Sequence, residues 1–266
     1  MNIQLFLKSA LLLATLTSLN GILISPALAA QDSGKSQYYE LRVYTTKSEQ
    51  QQKLISDYWQ NAAVPAYNRL GIRPIGVFTE MEDSPTNRVY VIIPFDSADA
   101  IATIPSRLAS DADYQKAGVD YLNVPKSDPA YVRFQSSLLV AMDGMKKLQA
   151  PPSAAEKKPW IFELRTYESR SEASGINKVQ MFNAGEIPLM QEVGLSPVFF
   201  AQTVVGAQMP NLVYMVSCEN REEHKKHFGA FSAAPAWKSL SSDPQYKDNV
   251  SKIVSIFLKR TPASQL

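Results

Sequence analysis

Two short segments of this chain set a carboxylate, a guanidinium and a phenol at two-residue spacing: Glu40-Leu41-Arg42-Val43-Tyr44 and Glu163-Leu164-Arg165-Thr166-Tyr167. On an extended strand, residues two apart share a face, so acid and base can pair with the phenol beside them. Such a trio offers an arginine to orient an anionic or enolisable ligand, and a Tyr or Glu to donate or accept a proton. The same trio also serves as architecture, because buried charges persist only when paired. Glu40, Arg42, Tyr44, Glu163, Arg165 and Tyr167 are therefore candidate ligand-binding residues, with interstrand locking as the competing role, and no catalytic residue is assigned.

His224 and His227 are the only histidines and are spaced to share one helix face, as two metal ligands or a haem ligand would. The sequence places no third ligand with them, and the charges around them read as a solvated helix surface, so no metal site is assigned. Cys218 is the sole cysteine, which excludes an intramolecular disulfide and any multi-cysteine metal site. At the end of an apolar strand it reads as a small buried hydrophobe rather than a nucleophile. Glycine-rich phosphate loops, Gly-x-Ser-x-Gly and His-Glu-x-x-His are all missing from the sequence. No cofactor is expected.

The elements that carry these residues are duplicated. At an offset of 123 residues, Glu40–Pro74 matches Glu163–Pro197 without a gap, with identities that include Glu40, Arg42, Tyr44, Pro65, Gly71 and Pro74. Past that segment the offset reads as 124, which matches Asn87–Val91 to Asn211–Met215 and so pairs Tyr90 with Tyr214. Each copy reads as strand, helix, strand, strand, helix, strand. The alternating residues 38–45 open the first copy and 161–167 the second. Thr46-x-x-Glu49 and Ser169-x-x-Glu172 read as capping boxes, Pro65 and Pro188 as bends, and Gly71 and Gly194 as helix stops.

The order β-α-β-β-α-β is the ferredoxin-like pattern, and one such sheet leaves a face uncovered. Two tandem copies cover both faces by packing sheet to sheet, so the expected fold is α+β, an intrachain pseudo-dimeric α+β barrel. Its units span 38–142 and 160–262, joined by a polar, proline-rich linker over 143–159. Tyr39, Leu41 and Val43 are expected to meet the helices. Glu40, Arg42 and Tyr44, with Glu163, Arg165 and Tyr167, are expected to line the barrel interior.

Composition narrows the partners. The chain has 266 residues, with 27 Lys and Arg against 25 Asp and Glu, a net charge of +2 that gives no reason to expect nucleic acid. Residues 1–29 read as a secretory signal: Lys8, an apolar run from Leu11 to Ile24, then Ala27-Leu28-Ala29 as the cleavage pattern. Cleavage near Ala29 would export the protein to the periplasm or the medium with no stable membrane anchor. Because one chain supplies both halves of the barrel, a monomer is expected, and further association is left open.

The pattern Tyr39-Glu40-Leu41-Arg42-Val43-Tyr44, the spacing of Pro65 and Gly71 and the paired copy at 162–167 resemble the NIPSNAP family. That resemblance covers both units. It implies a dimeric α+β barrel, a fold that also hosts cofactor-free oxygenases, haem-degrading enzymes and lactone isomerases, and it brings no agreed catalytic residues. The function expected is a small-ligand-binding or structural barrel. The alternative is a cofactor-free oxygenase or isomerase acting on a small aromatic or lactone-like substrate.

Overall fold

The alternating segments become strands, and the repeat dictates their order. The computed structural model describes residues 34–81, 87–156 and 158–266, so the expected signal over 1–29 lies outside it. The first repeat supplies β1 (Tyr38–Thr45), β2 (Gly76–Glu80), β3 (Arg88–Phe95) and β4 (Arg133–Ala141). The second supplies β5 (Ile161–Glu168), β6 (Ser196–Val205), β7 (Asn211–Cys218) and β8 (Lys252–Arg260). All eight join one closed antiparallel ring in the order β1-β3-β2-β8-β5-β7-β6-β4. Within a repeat the ladders are long: β1 pairs over its whole length with both β3 and β4, and β5 does the same with β7 and β8. The two seams between repeats are short. β2 meets β8 only from Phe78↔Arg260 to Glu80↔Leu258, and β4 meets β6 across a register shift at Leu138/Leu139.

Helices cover the outside of the ring. In the first repeat these are α1 (Glu49–Tyr58), α2 (Val64–Arg69), α3 (Ala98–Ala109), α4 (Ala112–Ala117) and α5 (Val119–Leu122). The connector carries α6 (Pro152–Glu156), and the second repeat α7 (Glu172–Met181), α8 (Ile187–Glu192), α9 (Arg221–Ala233) and α10 (Pro235–Ser242). Both long helices pass through a π-helical turn at the same place in the repeat, Trp59–Ala63 and Phe182–Glu186. The cause is local: Pro65 and Pro188 follow, and a proline clashes with the carbonyl four residues earlier, which a wider turn relieves. The N-caps are Ser48 and Ser171, two residues after the expected capping positions. Thr46 and Ser169 instead donate their hydroxyls to the carbonyls of Asn87 and Asn249. Gly71 and Gly194 take left-handed backbone, φ +79° and +87°, and stop the helices as expected.

The faces of the sheet are the reverse of the expectation. Tyr39, Leu41 and Val43 point into the barrel, packing with Phe78, Phe162 and Phe199 in a core shared by both repeats. Glu40, Arg42 and Tyr44, like Glu163, Arg165 and Tyr167, lie on the outer face under the helices. Both faces of this sheet are buried, so apolar content alone does not tell inside from outside. The matching of Tyr90 to Tyr214 also fails. Arg42 pairs with Val91 and Arg165 with Tyr214, so the offset stays at 123 and one residue of slip puts Tyr90 inside the barrel and Tyr214 outside.

One end of the barrel is plugged. Phe78 packs on Phe162 at 4.8 Å between ring centres and Tyr39 on Phe199 at 5.4 Å, and Leu148 and Leu266 complete the plug. The connector takes part in this closure: Gln149 donates its backbone N–H to Val198 and Leu148 donates its own to the Gln37 side chain. Residues 143–156 therefore dock on the barrel instead of spanning between two bodies.

Candidate functional site

In the first repeat the expected site residues form a closed network. Arg42 donates two hydrogen bonds to the Glu40 carboxylate, at 2.6 and 3.0 Å, and one to the Tyr67 hydroxyl on α2 at 3.2 Å. Ser136 of β4 donates to the same carboxylate at 2.7 Å. Burial works against the Arg42 charge, but Tyr67 and Glu40 outweigh it and hold the guanidinium more firmly protonated than usual. Every oxygen of Glu40 is taken, so the cluster behaves as an interstrand lock.

The second repeat builds a different network on the same frame. Glu163 accepts from Ser255, from Arg165 at 3.2 Å and from His224 Nε2 at 2.8 Å. Burial raises the Glu163 carboxyl, but the His224 hydrogen bond, Arg165 and Ser255 more than offset it and hold the group below the ordinary carboxylate range. A hydrolytic triad needs the imidazole between hydroxyl and carboxylate. Here the carboxylate lies in the middle, so His224 is not placed to activate Ser255. Arg165 stacks over Tyr167 and Phe228, and its Nε has no partner among the described residues. Deeper under the helices, Lys178 is ion-paired with Glu186 and faces the rings of Phe182 and Tyr167 at 4.9 and 5.6 Å.

The two histidines do not converge. His224 binds Glu163, whereas His227 Nδ1 meets the Val193 carbonyl at 2.6 Å and packs on Gly194, where a Cβ would come within 2.7 Å of the ring. Among the described residues no three His, Cys, Asp or Glu side chains are placed to hold a metal ion. Cys218 is 1 % exposed, and burial followed by the charge of Glu219 pushes its thiol up to about 12, which leaves no thiolate for nucleophilic work near neutral pH.

Empty space lies on the opposite face of the sheet. Above the plug, the barrel holds a cavity of about 410 Å³ that opens at the end where β1 and β5 finish. Both repeats wall it, in tiers. Leu41, Leu164 and Ile256 form the floor, Tyr90, Thr166 and Val254 the middle, and Thr45, Arg88, Glu168 and Lys252 the mouth. The hairpin between β6 and β7 contributes Gln208, held at φ +52°. Asn211 fixes that turn by donating to the carbonyls of Ala207 and Gln208 and accepting from Thr203 at 2.6 Å. A groove of equal size, about 410 Å³, runs outside along the start of α1, but it lies within one repeat and its polar rim carries Asp120 and Asp128. The barrel cavity is the site that needs both repeats.

With this geometry in view, the NIPSNAP family pattern matches residues 39–141 and again 162–265. The chain belongs to the NIPSNAP family. No curated protein sequence matches it. A candidate monooxygenase from Lactobacillus acidophilus NCFM superposes with a TM-score of 0.56 at 12% identity, covering 87% of this chain and 97% of its own. A second candidate monooxygenase, from Fusobacterium nucleatum, gives 0.52 at 7% identity over 85% and 93%. An uncharacterised NIPSNAP-like domain protein from Burkholderia xenovorans is 19% identical over 37% of this chain and 83% of its own, with a TM-score of 0.33. At these identities the likeness to solved structures shows the α+β fold alone.

Within this NIPSNAP chain, sequence reasoning singled out the residues that lock the sheet and missed those that line the cavity. Thr45 and Lys252 sit at strand ends and Thr166 inside β5, with no repeated charge pattern to mark them. The signal that could have found them is the correct register: with an offset of 123 kept through β3, Tyr90 falls among the inward-facing residues.

Proposed function

We propose that this NIPSNAP protein is a small-ligand-binding barrel, two tandem ferredoxin-like units that share one ligand site in the space between them. The observation that carries the reading is the cavity of about 410 Å³, within the size range of small-molecule sites, with a polar mouth over an apolar floor. In our reading the protein acts after export, following cleavage near Ala29. It works as a monomer, since the closed ring leaves no strand edge to pair with another chain. The reading needs no cofactor.

Calorimetric titration of the purified chain with phenols, quinones and lactones tests this. A saturable one-to-one binder that is lost in both Thr166→Phe and Ser137→Phe, which narrow the cavity from strands of different repeats, is the expected result. A panel without a binder, or binding indifferent to both variants, would overturn it.

A second reading is cofactor-free oxygenation or isomerisation in the same cavity, favoured by Tyr90. Its hydroxyl donates to the buried Glu80 at 2.8 Å, and burial and Glu80 hold it protonated against the opposing pull of Arg88. It therefore stays a neutral phenol at the cavity wall, placed to hydrogen-bond and orient a bound compound. Turnover of any bound compound that disappears in Tyr90→Phe while binding persists would favour this reading.

A further inference from the structure

The cations at the cavity mouth are already engaged, and this selects a class of ligand. Two cations line the mouth, Arg88 from the first repeat and Lys252 from the second. Lys252 is ion-paired with Glu168 across adjacent strands at 3.2 Å. Tyr90 donates its hydroxyl to Glu80 at 2.8 Å, and Arg88 also acts on that hydroxyl. Arg88, Lys252 and Glu168 thus line one opening, with the Glu80 carboxylate buried behind Tyr90, so each cation already has a partner. Below them the polar groups are uncharged: Gln135, Ser137 and Thr166, with Gln208 at the rim. The deepest tier is mostly hydrocarbon, Leu41, Leu164 and Ile256, with the Ser137 hydroxyl beside Leu41.

A charged ligand entering here would shed water without finding an unpaired opposite charge, and such burial is costly. An uncharged molecule meets hydroxyls and amides that donate and accept, then a floor that rewards apolar area at about 25 cal/mol per Å².

We propose, resting on the reading of the cavity as a ligand site, that it takes an uncharged amphipathic small molecule: an apolar, ring-sized body bearing hydrogen-bonding groups at one end, as in neutral phenols, quinones and lactones. Leu41, Leu164 and Ile256 hold the body, and Thr45, Gln135 and Thr166 select the polar end. Specificity against anions comes from the Glu168–Lys252 pair, which keeps Lys252 engaged.

Two fluorescent probes with nearly the same aromatic body test this. N-phenyl-1-naphthylamine is neutral, and 1-anilinonaphthalene-8-sulfonate carries one negative charge. The neutral probe should bind saturably and the sulfonate at least tenfold more weakly, with both signals lost in Thr166→Phe and Ser137→Phe. Glu168→Gln, which releases Lys252, should raise sulfonate affinity several-fold and leave the neutral probe unchanged. Equal or tighter binding of the sulfonate to the unmodified protein, still blocked by the cavity variants, would overturn the charge class and keep the ligand site. Failure of both probes, or binding that ignores both cavity variants, would overturn the site itself.

Discussion

Lys178 occupies in the second repeat the place that Ile55 occupies in the first, 123 positions earlier, and both are buried on the outer face of the sheet. Its ion-pair partner Glu186 likewise stands where Ala63 stands, at the end of the π-helical turn. One protein thus contains the apolar and the ionic solution to the same packing problem. Removing one member of a buried pair strands the other charge, whereas replacing both with apolar groups can be neutral or better. Lys178→Ile and Glu186→Ala should each cost about 3–5 kcal/mol, and the double variant should equal or exceed the parent by about 1–4 kcal/mol. Urea unfolding decides this: a double variant as unstable as the singles would show that the pair cannot be replaced as a unit.

The two arginines should differ. Arg42 supplies two hydrogen bonds to Glu40, whose other side-chain partner among the described residues is Ser136. Glu163 retains His224 and Ser255 when Arg165 is removed. Arg42→Met should therefore lower stability by about 3 kcal/mol, near the lower end for a broken buried pair because Arg42 is partly exposed. Arg165→Met should cost about 1.5 kcal/mol, the scale of one charged hydrogen bond. Equal losses in thermal unfolding would contradict the asymmetry.

Acid should reveal Glu163 and Glu186 with opposite signs. The Glu163 carboxyl is lowered in the fold, so its contribution is present above the unfolded value of roughly 4.3 and is lost as pH falls through its folded value. Glu186 is raised by burial despite Lys178, so its contribution is present below the unfolded value and is lost as pH rises through the folded one. The stability gap between parent and Glu163→Gln should widen from about pH 3 to pH 7, and that for Glu186→Gln should shrink over the same range. Chemical denaturation at several pH values measures both, and parallel curves would refute the assignment.

Cys218 should be silent in the native protein. Buried at the end of β7 with its thiol pushed up to about 12, it should react with iodoacetamide at pH 8 only as fast as the sheet opens, and promptly in denaturant. Rapid native labelling would show that the strand end is accessible.

The alternation of residues 38–45 was enough to place β1 at its observed ends. The duplication accounts for the ring, because each repeat leaves two strand edges that only the other can fill. What the sequence hid was sidedness. Tyr39 and Tyr44 are equally aromatic and both buried, so nothing in their types says that one plugs the barrel while the other packs under α1. Lys178 was hidden for a related reason: a lone lysine in an amphipathic helix reads as exposed, and its partner Glu186 lies eight residues on, across a π-helical turn that shifts the helical phase. Ile176, apolar by type and two residues before Lys178 on the same helix, is exposed instead.

The seams give the ring two lines of mechanical weakness. β1 and β5 are flanked on both sides by full-length ladders, whereas β2 meets β8, and β4 meets β6, over only a few residues each. Thermal breathing should part the two repeats along these lines before either repeat frays, as two stiff plates flexing along their joins. Amide hydrogens of β1 and β5 should then be the last to exchange with deuterium, and those of β2 and the Ala201–Val205 half of β6 among the first. A ligand that spans the cavity would touch both plates at once, and its binding would register as slowed exchange along the joins.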